Sequence, residues 1–140
     1  MGSEPRFSLE SHTADVAVAA TAPDLGSLFA AVADGLTAAM CDELPDGGER
    51  FDVTARGESL EALLFEYLDE LIYQRDVRAV LPADHRAIVE ETGGGWRVDA
   101  SARGLPFETV DAREVKAVTY SEMTVARTDD GWRAYVVLDV

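Results

Sequence analysis

Ser59-Leu60-Glu61-Ala62-Leu63-Leu64-Phe65-Glu66-Tyr67-Leu68-Asp69-Glu70-Leu71-Ile72, residues 59–72, is the most legible stretch of the chain. Ser59 is suited to cap a helix N-terminus, because its hydroxyl can accept a free backbone N–H of the first turn. Leu60, Leu63, Leu64, Tyr67, Leu68, Leu71 and Ile72 then recur at helical spacing, while Glu61, Glu66, Asp69 and Glu70 fall off that stripe. Burying seven such side chains contributes on the order of 1.5–3 kcal/mol each before entropy is counted. This helix therefore anchors the core, and the remaining elements have to be arranged around it.

Working toward the N-terminus, Phe51, Val53 and Ala55 alternate with polar neighbours, as in a half-buried strand. Before them, Pro45-Asp46-Gly47-Gly48 marks a turn. A first helix precedes that turn: Leu25, Leu28, Phe29, Val32, Leu36 and Met40 lie on one face, with Asp24 as N-cap after Pro23. Phe7 to Glu10 and Val16 to Thr21 read as short strands on either side of a polar turn, Ser11-His12-Thr13-Ala14-Asp15.

Toward the C-terminus, residues 77–91 predict a strand or two around Pro82, and Gly93-Gly94-Gly95 predicts a turn. Trp96, Val98, Ala100 and Ala102 alternate with Arg97, Asp99, Ser101 and Arg103, and Gly104-Leu105-Pro106 is expected to break that strand. Residues 115–128 and 132–138 predict a hairpin closed at Asp129-Asp130-Gly131. The pattern indicates an α+β fold, a single domain over residues 1–140 in which two amphipathic helices pack on an antiparallel or mixed sheet.

Twenty-seven acidic against twelve basic residues give a formal charge of −15 on 140 residues. Such a surface repels phosphate, and the basic residues are spread singly along the chain, so autonomous nucleic-acid binding is not expected. Lys116 is the only lysine. An acid-rich, lysine-poor composition suits a salt-adapted cytoplasm, where repulsion is screened within a few Å. No apolar run approaches the ~20 residues of a membrane span, and the N-terminus lacks a secretory pattern. The single cysteine, Cys41, excludes a disulfide framework and reads as a small buried residue near a helix end. These features together predict a cytoplasmic protein.

Three places combine polar groups with a setting that could hold them rigidly. His12-Thr13-Ala14-Asp15 stands at the mouth of a strand, where a carboxylate either binds a hard cation or caps a turn. In Val115-Lys116-Ala117-Val118-Thr119-Tyr120, Lys116 lies within a predicted strand and either reaches water or is fixed beside a carboxylate. At Val137-Leu138-Asp139-Val140 the sequence stops in an apolar strand. If Val140 is the natural end, its main-chain carboxylate adjoins the Asp139 side chain, and two such groups repel unless a cation or base sits between them. Asp15 could complete an all-oxygen site suited to Mg²⁺, Mn²⁺ or Ca²⁺, and a nitrogen from His12 would tilt it toward manganese. No nucleophile elbow, Walker loop, dinucleotide fingerprint or zinc-ligand spacing is present. His85, in the polar stretch after Pro82, is expected at the surface.

The sequence resembles the archease family. The likeness rests on His12-Thr13-Ala14-Asp15-Val16, on Leu60-Glu61-Ala62-Leu63-Leu64, on Val115-Lys116-Ala117-Val118-Thr119-Tyr120 and on the terminal Val137-Leu138-Asp139-Val140, in that order from about Phe7. The resemblance implies a protein that is not itself an enzyme. Its implied role is to assist an RtcB-type RNA ligase in tRNA splicing and RNA repair, promoting guanylylation of the ligase and multiple turnover. It also implies a metal site at Asp15, Asp139 and the C-terminal carboxylate of Val140, with Lys116 approaching it and His12 in the motif without an assigned role. Two positions depart from the family pattern: Ala17 where many members have Gly, and Ser121 where His is common. A metal-dependent hydrolase using His12 as base, and a chaperone-like module for other RNA-processing enzymes such as RNA methyltransferases, are the rival readings.

Overall fold

The structure, a computed structural model, describes residues 4–12 and 15–140, with the backbone alone for residues 10–12. Thr13 and Ala14, the centre of the first expected turn, lie outside the described residues. The described chain runs β1 (Arg6–His12), β2 (Asp15–Ala22), α1 (Leu25–Met40), β3 (Glu49–Gly57), α2 (Leu60–Arg78), β4 (Val80–Thr92), β5 (Gly95–Pro106), a 3-10 turn at Phe107–Thr109, β6 (Ala117–Thr128) and β7 (Gly131–Asp139).

Both helices start at the residues whose side chains can satisfy free N–H groups. The Ser27 N–H donates to Asp24 Oδ1 at 2.8 Å, and the Ala62 N–H donates to Ser59 Oγ at 3.1 Å. The α2 helix continues through Val77 and Arg78, which the sequence placed in the following strand. Its last turn carries Arg75 and Arg78, cations that suit the negative end of the helix dipole, and it stops at Ala79 in the left-handed region (φ 55°).

The strands divide into two antiparallel sheets, β1-β2-β7-β6 and β3-β5-β4. Helix α1 packs on β2 and β4, and α2 packs on β3 and β6, so each helix bridges both sheets over one hydrophobic core. Tyr67, Phe29 and the leucines of both helices fill that core. Gly35 lets α1 approach β2: a Cβ there would lie 2.5 Å from Val18 Cγ1.

Gly104-Leu105-Pro106 does not break β5, contrary to the sequence expectation. These residues pair with Val80, Leu81 and Pro82, and the chain leaves the sheet only after Pro106. Glycine at 104 faces Val80 and Phe51, whose side chains would stand 3.1 and 3.3 Å from a Cβ. Residues 80–92 form one strand with Pro82 inside it, and as the outermost strand of its sheet it tolerates a missing N–H. The ladder shifts register between Ala83 and Arg86, and Asp84 there has φ 53°. That irregularity turns His85 inward. Only 6% of it is exposed, which corrects the expectation of a surface histidine.

Candidate functional site

The β2–β7 register makes Asp15 and Asp139 direct partners across neighbouring strands. By strand alternation both lie on the sheet face away from the helices, at the end of the row Ala19–Tyr135 and Ala17–Val137. Directly opposed residues on antiparallel strands hold their Cβ atoms ~4.5–5.5 Å apart, so two half-buried carboxylates are brought side by side. Val140 follows immediately and is exposed. His12 stands opposite Asp15 in the β1–β2 register, and its side chain lies outside the described residues.

Lys116 precedes β6 instead of lying within it, since the strand begins at Ala117. Its backbone N–H donates to the Asp139 carbonyl at 2.8 Å. Its side chain is exposed and makes no ion pair among the described residues. The fold therefore brings Asp15, Asp139, Val140 and the Lys116 backbone to one end of the four-stranded sheet. Two neighbouring carboxylates are hard oxygen donors of the kind Ca²⁺, Mg²⁺ and Mn²⁺ take. Among the described residues no three His, Cys, Asp or Glu side chains converge to hold a metal. An ion here would need donors beyond these two side chains to complete its shell.

The segment that delivers Lys116 is held from outside any β-ladder. The Arg113 guanidinium reaches the last turn of α1, donating to the Ala38 and Ala39 carbonyls at 3.2 Å each and to both oxygens of Asp42. Val115 is fully buried, and its carbonyl accepts from Arg75 Nη1 at 2.8 Å. Sequence reasoning passed over Arg75. The signal was present, because position 75 continues the apolar stripe of Leu68, Leu71 and Ile72 and so places a cation where the helix is buried.

A second polar centre sits inside the fold. Thr37 Oγ1 lies 2.7 Å from the Pro82 carbonyl and 2.8 Å from His85 Nε2. Donation of the hydroxyl hydrogen to Pro82 makes Nε2 the donor to Thr37, leaving Nδ1 without a partner among the described residues. Burial holds the His85 imidazole neutral, pushing its pKa down to about 3. Asp34 accepts the His85 backbone N–H at 3.2 Å. Burial pushes the Asp34 carboxyl up to about 6, against the opposing effect of that hydrogen bond.

Basic residues that are isolated in the sequence do gather in the fold. Arg50 opposes Arg103, and Arg56 opposes Arg97, on the outer face of the three-stranded sheet, with Arg86 nearby. Carboxylates interleave them: Asp84 pairs with Arg50 and Arg103, and Asp99 with Arg97. The result is a mixed face, unlike the uninterrupted basic stripe that tracks a phosphate backbone.

A profile of the Archease protein family (MTH1598/TM1083) matches residues 7–140. The chain is 37% identical over 134 residues to protein archease of Thermococcus gammatolerans, the match covering 92% of this chain and 94% of that one. It is 31% identical over 134 residues to protein archease of Pyrococcus furiosus, with the same coverage. Its fold is similar to the solution structure of Methanobacterium thermoautotrophicum protein 1598, with a TM-score of 0.84 and 28% identity, covering 96% of this chain and 98% of that one.

Proposed function

The chain belongs to the archease family, and from that premise we propose that it is a non-enzymatic coactivator of an RtcB-type RNA ligase in tRNA splicing and RNA repair. In this reading it works in the cytoplasm and promotes guanylylation and multiple turnover of the ligase through its acidic tip. The observation that carries the proposal is the direct cross-strand pairing of Asp15 with Asp139 beside the Lys116 backbone. Two carboxylates are placed there without an arginine or lysine ion pair among the described residues, which leaves their oxygens available to a cation or to a base of the partner.

Asp15, Asp139 and, where the chain ends at Val140, the terminal carboxylate would hold a divalent ion, Ca²⁺, Mg²⁺ or Mn²⁺. Such an ion, when bound, supplies the concentrated positive charge that a nucleotide phosphate shares. The β2–β7 ladder sets the two carboxylates side by side, and the backbone bond of Lys116 to Asp139 brings an exposed lysine to the same end of the sheet, available to an anionic group of the ligase complex. His12 belongs to the same corner by its register with Asp15. A net charge of −15 suits a partner with a basic RNA channel, because complementary fields speed encounter.

The test is multiple-turnover RNA ligation by limiting cognate ligase with GTP and Mn²⁺, comparing no addition, this protein and its Asp139→Ala variant. Stimulation that is lost in the variant supports the coactivator reading. A folded protein that gives no stimulation at suitable salt rules the ligase role out.

A further inference from the structure

Residues 110–116 join the 3-10 turn to β6 without a ladder partner, and the floor beneath them is partly hollow. A cavity of about 400 Å³ opens there, lined by Met40, Leu81, Phe107 and Val110 with Arg75 at its wall. Val115 anchors the strap in the core, and the polar fixed points along it are few. Arg113 ties it to the end of α1. The next fixed point is the peptide unit between Val115 and Lys116. Its carbonyl accepts from Arg75 Nη1 at 2.8 Å, and its N–H donates to the Asp139 carbonyl at 2.8 Å.

A peptide unit is planar, so holding its oxygen and its N–H fixes the plane and the directions of both flanking Cα atoms. One of those is Lys116. At the other end of the same plane is Asp139, the cross-strand partner of Asp15. We infer that Arg75 is a positioning residue for the acidic tip: from inside the core it locks the Val115–Lys116 peptide plane, and through it the placing of Lys116 and the Asp139 backbone. The inference deepens the coactivator reading and rests on it for its effect on ligation.

Two features favour this role over a purely stabilising one. A buried cation is an inefficient device for stability, since an apolar side chain of similar volume often serves as well or better. The guanidinium is also held at two of its three nitrogens: Nε–H donates to Asp76 Oδ1 at 2.9 Å, and Nη1 faces Met40 Sδ at 3.6 Å besides the Val115 carbonyl. It is thus held in one orientation, and it presents that orientation to the strap.

The experiment uses the full chain with Arg75→Met and Arg75→Lys. Native-state amide exchange of Lys116 is measured against amides of β7, and acetylation of Lys116, the only lysine, is followed by mass spectrometry. Ligation with the cognate ligase is assayed in parallel. The expected result for Arg75→Met is exchange at Lys116 faster by about tenfold, the order of one lost charged hydrogen bond. β7 amides should be unchanged, Lys116 acetylation altered and ligase stimulation reduced, with partial recovery in Arg75→Lys. Equal acceleration at all β6 and β7 amides, an unchanged Lys116 amide in a folded variant, or failure of both variants to fold would overturn the inference. If wild-type protein does not stimulate the ligase, the coactivator reading fails, and the exchange data still decide whether Arg75 holds the plane.

Discussion

Replacing Asp34 with asparagine should stabilise the protein at alkaline pH and leave it almost unchanged in acid. Asp34 lies on α1 with its carboxylate half-buried against the bulge of β4, and it accepts the His85 backbone N–H. Burial raises its pKa from 3.8 to about 6, the His85 N–H opposes that rise, and the Asp84 charge adds to it. A rise of that size corresponds to roughly 3 kcal/mol at ~1.4 kcal/mol per pKa unit. Water at the exposed part of the carboxylate brings the effect to roughly 1–2 kcal/mol.

The folded state holds this proton more tightly than the unfolded chain does. The neutral carboxyl's contribution is therefore fully present below pH 3.8 and is lost as the pH rises through about 6. Asparagine keeps an oxygen for the His85 N–H and carries no charge at any pH. The variant should thus exceed wild type by roughly 1–2 kcal/mol at pH 8, with the gap closing by about pH 4. His85 has the opposite sign. Burial depresses its pKa from 6.5 to about 3, so its contribution is present above pH 6.5 and lost as the pH falls toward 3. In wild type the two trends offset each other between about pH 4 and 6, and Asp34→Asn should uncover the downward slope due to His85. Urea unfolding followed by Trp96 and Trp132 fluorescence, at constant ionic strength from pH 4 to 8, measures both. A variant less stable than wild type at pH 8, or a gap that does not change with pH, would refute the reasoning.

Gly35→Ala should destabilise by roughly 1–3 kcal/mol in chemical unfolding, because the added methyl meets Val18 Cγ1, a branched side chain with no room to withdraw. The gain in helix propensity, ~1 kcal/mol, does not offset that overlap. Thr37→Val removes the hydroxyl between the Pro82 carbonyl and His85 Nε2 and should cost about 1–3 kcal/mol in the same assay, since a buried imidazole N–H loses its acceptor. Titration of the protein with Mn²⁺, read by loss of the free-ion electron paramagnetic resonance signal, should show binding that weakens at least tenfold in Asp15→Asn and in Asp139→Asn, the scale of one ligand removed. Equal affinity in all three proteins would exclude the tip as the site.

Much of the architecture was legible because its signals are local. The caps at Asp24 and Ser59, the apolar stripes behind them, and the turns at Gly93-Gly94 and Asp129-Asp130 each depend on a few adjacent residues. The division into two sheets was not legible, since strand order depends on pairings such as β2 with β7 that join opposite ends of the chain. Gly104-Leu105-Pro106 misled for a related reason. Proline interrupts a strand only where the ladder needs the N–H it lacks, and Pro106 stands at the last pair of β5, while Gly104 serves a close approach in which a Cβ would stand 3.1 Å from Val80 and 3.3 Å from Phe51. His85 misled because its sequence neighbours are polar, whereas its burial is decided by a bulge. The candidate tip was visible through family motifs; the pairing of Asp15 with Asp139 and the support from Arg75 needed three dimensions.

The edge formed by β4 also bears on how the protein behaves in a crowded cell. An unpaired strand edge is a template on which other chains can add, the first step toward aggregates. Here α1 occupies part of the β4 backbone, with Thr37 on the Pro82 carbonyl and Asp34 on the His85 N–H, and between them the left-handed Asp84 bends the strand out of register. An incoming strand would find neither a continuous row of donors nor a straight rail to follow. The bulge that buries His85 therefore also protects the three-stranded sheet from unwanted extension, and a substitution that straightened it would exchange a soluble edge for an adhesive one.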